Sequence, residues 1–154
     1  MFSNKTRLEF DQLRKRYPTA EAALLPILHA AQREVGFIDS SIVDAIADYL
    51  SLPQVKVHGV VTFYTMYNKE KPGKYLIQMC RTLSCELRGS EALVAHLKQK
   101  LGIDEGETTS DGKFSLMLVE CLGSCGTAPV VQINDDYYED LTPDGLSQIL
   151  DGLE

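Results

Sequence analysis

The sequence predicts a protein of mixed class, α+β to α/β: an N-terminal helical bundle over residues 1–70, then a layered domain with a small mixed sheet over 71–154. Three observations carry this. Apolar positions in the first part recur at helical spacing, and the charged, turn-rich stretch "NKEKPGK", residues 68–74, marks a boundary. Beyond it, short β-prone runs alternate with amphipathic ones.

Within the bundle, Lys5, Arg7, Arg14, Lys15 and Arg16 are interleaved with Glu9 and Asp11, as on a solvated helix face. "TAEAALLPILHAAQREVG" places Leu24, Ile27, Leu28, Ala31 and Val35 at helical spacing and Gly36 at the C-terminal cap. Pro26 is expected to kink this helix or mark its real start. A second helix, "SSIVDAIADYL", should be capped by Ser40 or Ser41 and present Ile42, Ile46 and Tyr49 on one face. In "SLPQVKVHGVVTFY", Ser51 and Gln54 stand in capping-box register, and Val57, Val60, Val61 and Tyr64 form an apolar stripe.

After the boundary, "KYLIQMC" reads as a strand running into Cys80, and "SEALVAHLKQKLG" as a helix bearing Leu93, Leu97 and Leu101 and ending near Gly102. "FSLMLVE" is a second strand running into Cys121. "PVVQIN" and "DYYEDL" form a hairpin turning at Asn134-Asp135, and "TPDGLSQILDGL" a closing helix with Thr142 as N-cap and Pro143 in its first turn. Strand, helix, strand, strand, strand, helix is a layer order of thioredoxin-like type. If the first two strands are parallel neighbours, their C-terminal ends lie together and the thiols that follow them converge.

Those thiols are all the cysteines of the chain, in two tight pairs: "CRTLSC", Cys80 and Cys85, and "CLGSC", Cys121 and Cys125. No stretch is long and apolar enough to span a membrane, and "MFSNKTRLEF" lacks the apolar core of a secretory signal. A cytosolic location is expected, where clustered cysteines hold metal or do redox chemistry more often than they form structural disulfides. Zinc takes four thiolates in one tetrahedron, and spacings as wide as C-x4-C occur. A dithiol oxidoreductase uses C-x-x-C, a spacing absent here. A 2Fe-2S cluster takes two thiolates on each iron, which two local pairs on two loops fit directly. Zinc and thiol redox chemistry remain as alternatives. Gly123, Ser124, Gly126, Thr127 and Ala128 would let backbone N–H groups approach the sulfurs, Thr82 and Ser84 offer hydroxyls, and Arg81 would offset negative charge at the site.

The formal net charge of −7 repels nucleic acid and anionic membrane surfaces. That sets aside a DNA-reading helix-turn-helix over "SSIVDAIADYLSLPQVKVHGVV", so no nucleic-acid partner is expected. His29, His58 and His96 fall on helices far from the cysteines in sequence and read as structural or surface residues. The aromatic run "TFYTMY" serves core packing for at least half its length, and "NDDYYED" is a solvated hairpin.

"GVVTFYTMY", "CRTLSCELRGS" and "CLGSCGTAPVVQINDDYYEDLT" together resemble the small 2Fe-2S subunit (the E-subunit family) of NADH:quinone oxidoreductase, respiratory complex I. Relatives of that family serve NAD-linked hydrogenases and formate dehydrogenases. His58 is a mild departure, standing where an aromatic such as tyrosine is common. The resemblance implies one 2Fe-2S cluster on Cys80, Cys85, Cys121 and Cys125, with no catalytic pocket of the chain's own. It also implies docking on a flavin-bearing subunit that binds FMN and NADH, in a peripheral arm at the cytoplasmic face of the membrane without insertion. The chain would then accept single electrons from reduced flavin, at a potential on the order of −400 mV if it follows plant-type four-thiolate clusters. Ala128-Pro129, just before a strand, is the place where thioredoxin-like folds often carry a cis bond.

Overall fold

A computed structural model describes all residues, 1–154. The chain divides into two compact units, Met1–Lys71 and Pro72–Glu154.

The first unit is four helices: α1 (Asn4–Arg16), α2 (Ala20–Val35), α3 (Ser40–Leu50) and α4 (Gln54–Phe63). Side-chain oxygens of Ser3, Thr19 and Asp39 accept from the first-turn N–H groups of α1, α2 and α3, meeting donors that have no partner inside the helix. Gly36 ends α2 in the left-handed region, with φ 92°. Phe10, Leu24, Ile27, Leu28, Ile46 and Val57 meet in one apolar core, into which Tyr67 also packs. Tyr67 donates its hydroxyl to the Leu25 carbonyl at 3.0 Å, and burial pushes its pKa up to about 12. Gln32 holds the segment after α4, donating to the Met66 carbonyl and accepting from the Asn68 N–H, each at 2.8 Å.

Three expectations for this unit change. Pro26 lies inside α2 and does not begin it; burial of Ala23, Leu24, Ile27, Leu28, Ala30 and Ala31 outweighs the roughly 3 kcal/mol that an interior proline costs. Asp39, one residue earlier than expected, caps α3, and Tyr49 lies 40% exposed, bonded to Asp11, while Val43, Ala47 and Leu50 complete the buried face. Ser51 does not cap α4. It closes α3 in the left-handed region, and Pro53 takes the N-cap position of α4 with no side-chain bond.

In the second unit, β1 (Tyr75–Cys80), β2 (Phe114–Val119), β3 (Val131–Ile133) and β4 (Asp136–Tyr138) form one mixed sheet in the order β2-β1-β3-β4. β1 and β2 are parallel, in register from Tyr75 opposite Phe114 to Cys80 opposite Val119, and β3 is antiparallel to both β1 and β4. At the start of the parallel pair Gly73 is obligatory, since a Cβ there would lie 2.9 Å from the Phe114 carbonyl carbon. Its N–H donates to the Ser115 hydroxyl at 2.7 Å. The β3–β4 hairpin turns at Asn134, with φ 54°, a conformation asparagine tolerates well.

Three helices complete this unit: α5 (Leu83–Leu87), α6 (Ser90–Leu101) and α7 (Pro143–Asp151). Leu93 and Leu97 of α6 and Leu146 and Leu150 of α7 share a core with Ile77, Met79, Leu116, Val131 and Ile133, the alternating residues of one sheet face. Thr142 caps α7, accepting from the Gly145 N–H at 3.2 Å. The sequence did not reveal α5, whose Leu83 and Leu87 are 70% and 77% exposed and leave no buried stripe to recognise.

Candidate iron-sulfur site

Cys80 is the last residue of β1, and Cys121 lies two residues beyond the end of β2. Because these strands are parallel and in register, the loops carrying both pairs leave the sheet side by side. Cys85 sits on α5, and Cys125 opens a single 3-10 turn, Cys125–Thr127. Cys80 and Cys85 are buried, while Cys121 and Cys125 are exposed. Cys80 and Cys85 pack with Ala128 and Val130, and Leu122 lies against them, so a small apolar cluster floors the site. The Ala128-Pro129 bond beside it is cis.

The sulfurs differ in what surrounds them. Burial works against a Cys80 thiolate, but the Thr82 hydroxyl and N–H, the Leu122 N–H and the Cys85 thiol together hold its pKa below the ordinary value. Thr82 Oγ1 stands 3.2 Å from Cys80 Sγ. Cys85 is pushed up, first by burial and then by its bond to Cys80, with the charge on Cys125 adding to the effect against the Val130 N–H. The Gly123 N–H donates to Cys121 Sγ at 3.3 Å, from a backbone with φ 77° that a side chain would strain. The carbonyl of Glu120, the residue before Cys121, lies 3.8 Å from Cys80 Sγ, so the two cysteine loops meet at one end of the sheet. No three or more His, Cys, Asp or Glu side chains form a group that could hold a single metal ion.

The hairpin supports the second loop. Tyr137 donates its hydroxyl to the Leu122 carbonyl at 3.0 Å, the Asp140 N–H donates to the Thr127 carbonyl at 2.8 Å, and Ser124 donates to Glu139. Hydrogen bonds from Ser124 and Thr127 lower the Glu139 pKa. Sequence reasoning treated "NDDYYED" as a solvated hairpin and missed these contacts, which depend on where the turn folds back. The Arg81 charge also differs from expectation. Arg81 is held by Glu120, with Nη2 2.6 Å from Oε1, so its charge is already answered within the chain. His29, His58 and His96 lie on α2, α4 and α6; His96 Nε2 is 2.7 Å from the Ser147 hydroxyl, tying α6 to α7.

Four soft sulfur donors in two sequence pairs, with a backbone N–H donating to Cys121 Sγ and a hydroxyl 3.2 Å from Cys80 Sγ, fit a 2Fe-2S cluster in donor chemistry. Residues 10–154 match the model of the thioredoxin-like [2Fe-2S] ferredoxin family. The E subunit of the NADH-quinone oxidoreductase of Rickettsia conorii is 44% identical over 156 residues, covering 99% of this chain and 93% of that protein. An E subunit of the Rhizobium meliloti NADH-quinone oxidoreductase is 42% identical over 147 residues, covering 96% of this chain and 88% of that one. Among solved structures, a chain of an NAD+-reducing [NiFe]-hydrogenase shares the fold at a TM-score of 0.73 and 23% identity; the match covers 83% of this chain and 22% of that one. With its two cysteine pairs set at the end of a mixed sheet, the chain belongs to the thioredoxin-like [2Fe-2S] ferredoxin family, in the branch of the NADH-quinone oxidoreductase E subunits.

Proposed function

We propose that this chain is the electron-transfer subunit of an NADH-quinone oxidoreductase and that Cys80, Cys85, Cys121 and Cys125 ligate a single 2Fe-2S cluster. The observation that carries the ligand set is the parallel, in-register pairing of β1 and β2, which sets Cys80 at the end of one strand and Cys121 two residues past the end of its neighbour, with the Gly123 N–H donating to Cys121 Sγ. When bound, such a cluster supplies a one-electron redox centre. The chain's own contribution is to hold four thiolates without competing oxygen or nitrogen ligands, to shield the Cys80 and Cys85 side in apolar surroundings, and to leave the Cys121 and Cys125 side open to a donor.

The donor is the flavin-bearing subunit that oxidises NADH, with FMN and NADH bound there and not here. Leu83, Leu87 and Tyr137 surround the cysteine loops with exposed apolar surface suited to a protein partner, and Phe63 on α4 is 77% exposed. No helix is long and apolar enough to cross a membrane, in keeping with a place in the peripheral arm at the cytoplasmic face. Identity above 40% with E subunits of quinone reductases favours that parent complex over a hydrogenase, to which the likeness is one of fold.

Iron, zinc and acid-labile sulfide analysis of anaerobically purified protein tests the proposal. Expected are about two irons and two sulfides per chain and a paramagnetic signal that appears only on reduction. Zinc without colour would leave the fold and overturn the function.

A further inference from the structure

We propose that Arg81 and Glu120 form a clasp that positions the two cysteine loops against each other and sets the net charge beside the cluster. The role rests on the four-thiolate ligand set proposed above. Arg81 follows Cys80 at the end of β1, and Glu120 precedes Cys121 just past the end of β2. Cys80 lies opposite Val119, the last pair of the parallel ladder, so Arg81 and Glu120 are the next residues in line on each strand.

They meet side chain to side chain. Arg81 Nε and Nη2 both donate to Glu120 Oε1, at 3.1 and 2.6 Å. Below them the Arg81 N–H donates to the Val119 carbonyl at 3.1 Å, and the Glu120 carbonyl lies 3.8 Å from Cys80 Sγ. The ion pair therefore continues the strand pairing by one step, past the point where the backbone ladder stops and between the first cysteine of each loop. Both side chains are open to solvent, at 50% and 77%, so exchanging them for neutral ones of similar size removes no core packing.

The two charges bear on reduction with opposite sign. Reduction adds an electron beside the pair, which an unanswered Glu120 carboxylate opposes and an unanswered Arg81 guanidinium favours. Joined, they cancel at a distance while their attraction holds the loops together.

Full-length R81Q, E120Q and R81Q/E120Q proteins, loaded with cluster, test the clasp by two measurements. One is the midpoint potential, from paramagnetic resonance at poised potentials. The other is the time an iron chelator takes to bleach the visible absorption. The potential is expected to fall in R81Q, rise in E120Q and return toward the wild-type value in the double variant. All three should bleach about two- to fivefold faster, the scale of losing one exposed ion pair. A merely structural role would not move the two single-variant potentials in opposite directions. Potentials that stay in place or move together overturn the clasp and leave the ligand set standing, because the iron is still bound. A wild-type protein without iron and sulfide overturns the ligand set, and the clasp with it.

Discussion

The helical unit and the sheet unit put their buried side chains to different use. In Met1–Lys71, Phe10, Leu24, Ile27, Leu28 and Ile46 pack against one another, and the buried set is apolar apart from Thr6 and the Tyr67 hydroxyl. In Pro72–Glu154 a comparable core of Ile77, Met79, Leu93, Leu116 and Leu146 sits beside a second, smaller cluster in which two of the four buried members are thiols. Apolar contact closes the first unit. The cysteine end of the second rests on that small cluster and is tied further by polar contacts from Tyr137, Asp140, Ser124 and Arg81. The lesson is that a site for a guest can be built beside a complete core, on a small cluster of its own that hydrogen bonds hold in place.

The largest test sets one core against the other. Ile27→Ala and Ile77→Ala each empty a site with no exposure, and each should cost about 2–5 kcal/mol in urea denaturation. They should part in iron content: Ile77 lies on the strand that ends in Cys80, so its truncation lowers cluster occupancy, whereas Ile27→Ala retains it. Iron lost equally from both variants would erase the contrast between the units.

A smaller effect is expected where the units use the same device. Thr19 caps α2 and Thr142 caps α7, each accepting from a first-turn N–H at 3.1 and 3.2 Å. Thr19→Ala and Thr142→Ala should each cost about 1 kcal/mol, matched between units and without change in the visible spectrum. A spectrum that changed with Thr142→Ala would mean that α7 and the cysteine loops are coupled.

The smallest effect is the pH dependence of one helix cap in the helical unit. The Ser41 hydroxyl and the Ile42 N–H, both bonded to Asp39, hold its pKa below the ordinary aspartate value. The charged form is thus favoured by folding. Its contribution is complete above the unfolded pKa and is lost as pH falls through the lower, folded one. Asp39→Asn should therefore lower the urea midpoint slightly near neutral pH, with the gap to wild type closing in acid. A gap independent of pH would show that geometry, and not charge, is what the cap supplies.

Much of this was legible in the sequence because the signals were local. Gly36, Gly102 and Thr142 end or begin their helices where glycine and threonine should, and the runs before Cys80 and Cys121 are strands. What escaped was set by competition or by distance. Ser51 satisfied a capping pattern for α4 but was taken by the end of α3, and α5 is too short and too exposed to show a periodic stripe. Glu120 reaches Arg81, and Glu139 reaches Ser124, across 39 and 15 positions. Neither partner can be chosen until the strand register and the hairpin are known. Arg81 itself was found from the sequence, but its partner was not, and the partner changes what its charge does.

The in-step register of β1 and β2 has a consequence for insertions and deletions. Tyr75 through Cys80 pair one for one with Phe114 through Val119, and side chains on a strand alternate faces. One residue added inside either strand would turn every later side chain to the opposite face and swing a cysteine loop away from its mate. The connection before β2 is not free throughout, since Gly106, Glu107 and Thr109 bond to the Leu116 and Phe114 backbone and Thr108 bridges to Ser115; only ahead of Gly106 can an added residue leave both strands, and both loops beyond them, where they are. Length variation among such chains should thus gather before Gly106 and stay out of the strands that lead to the thiols.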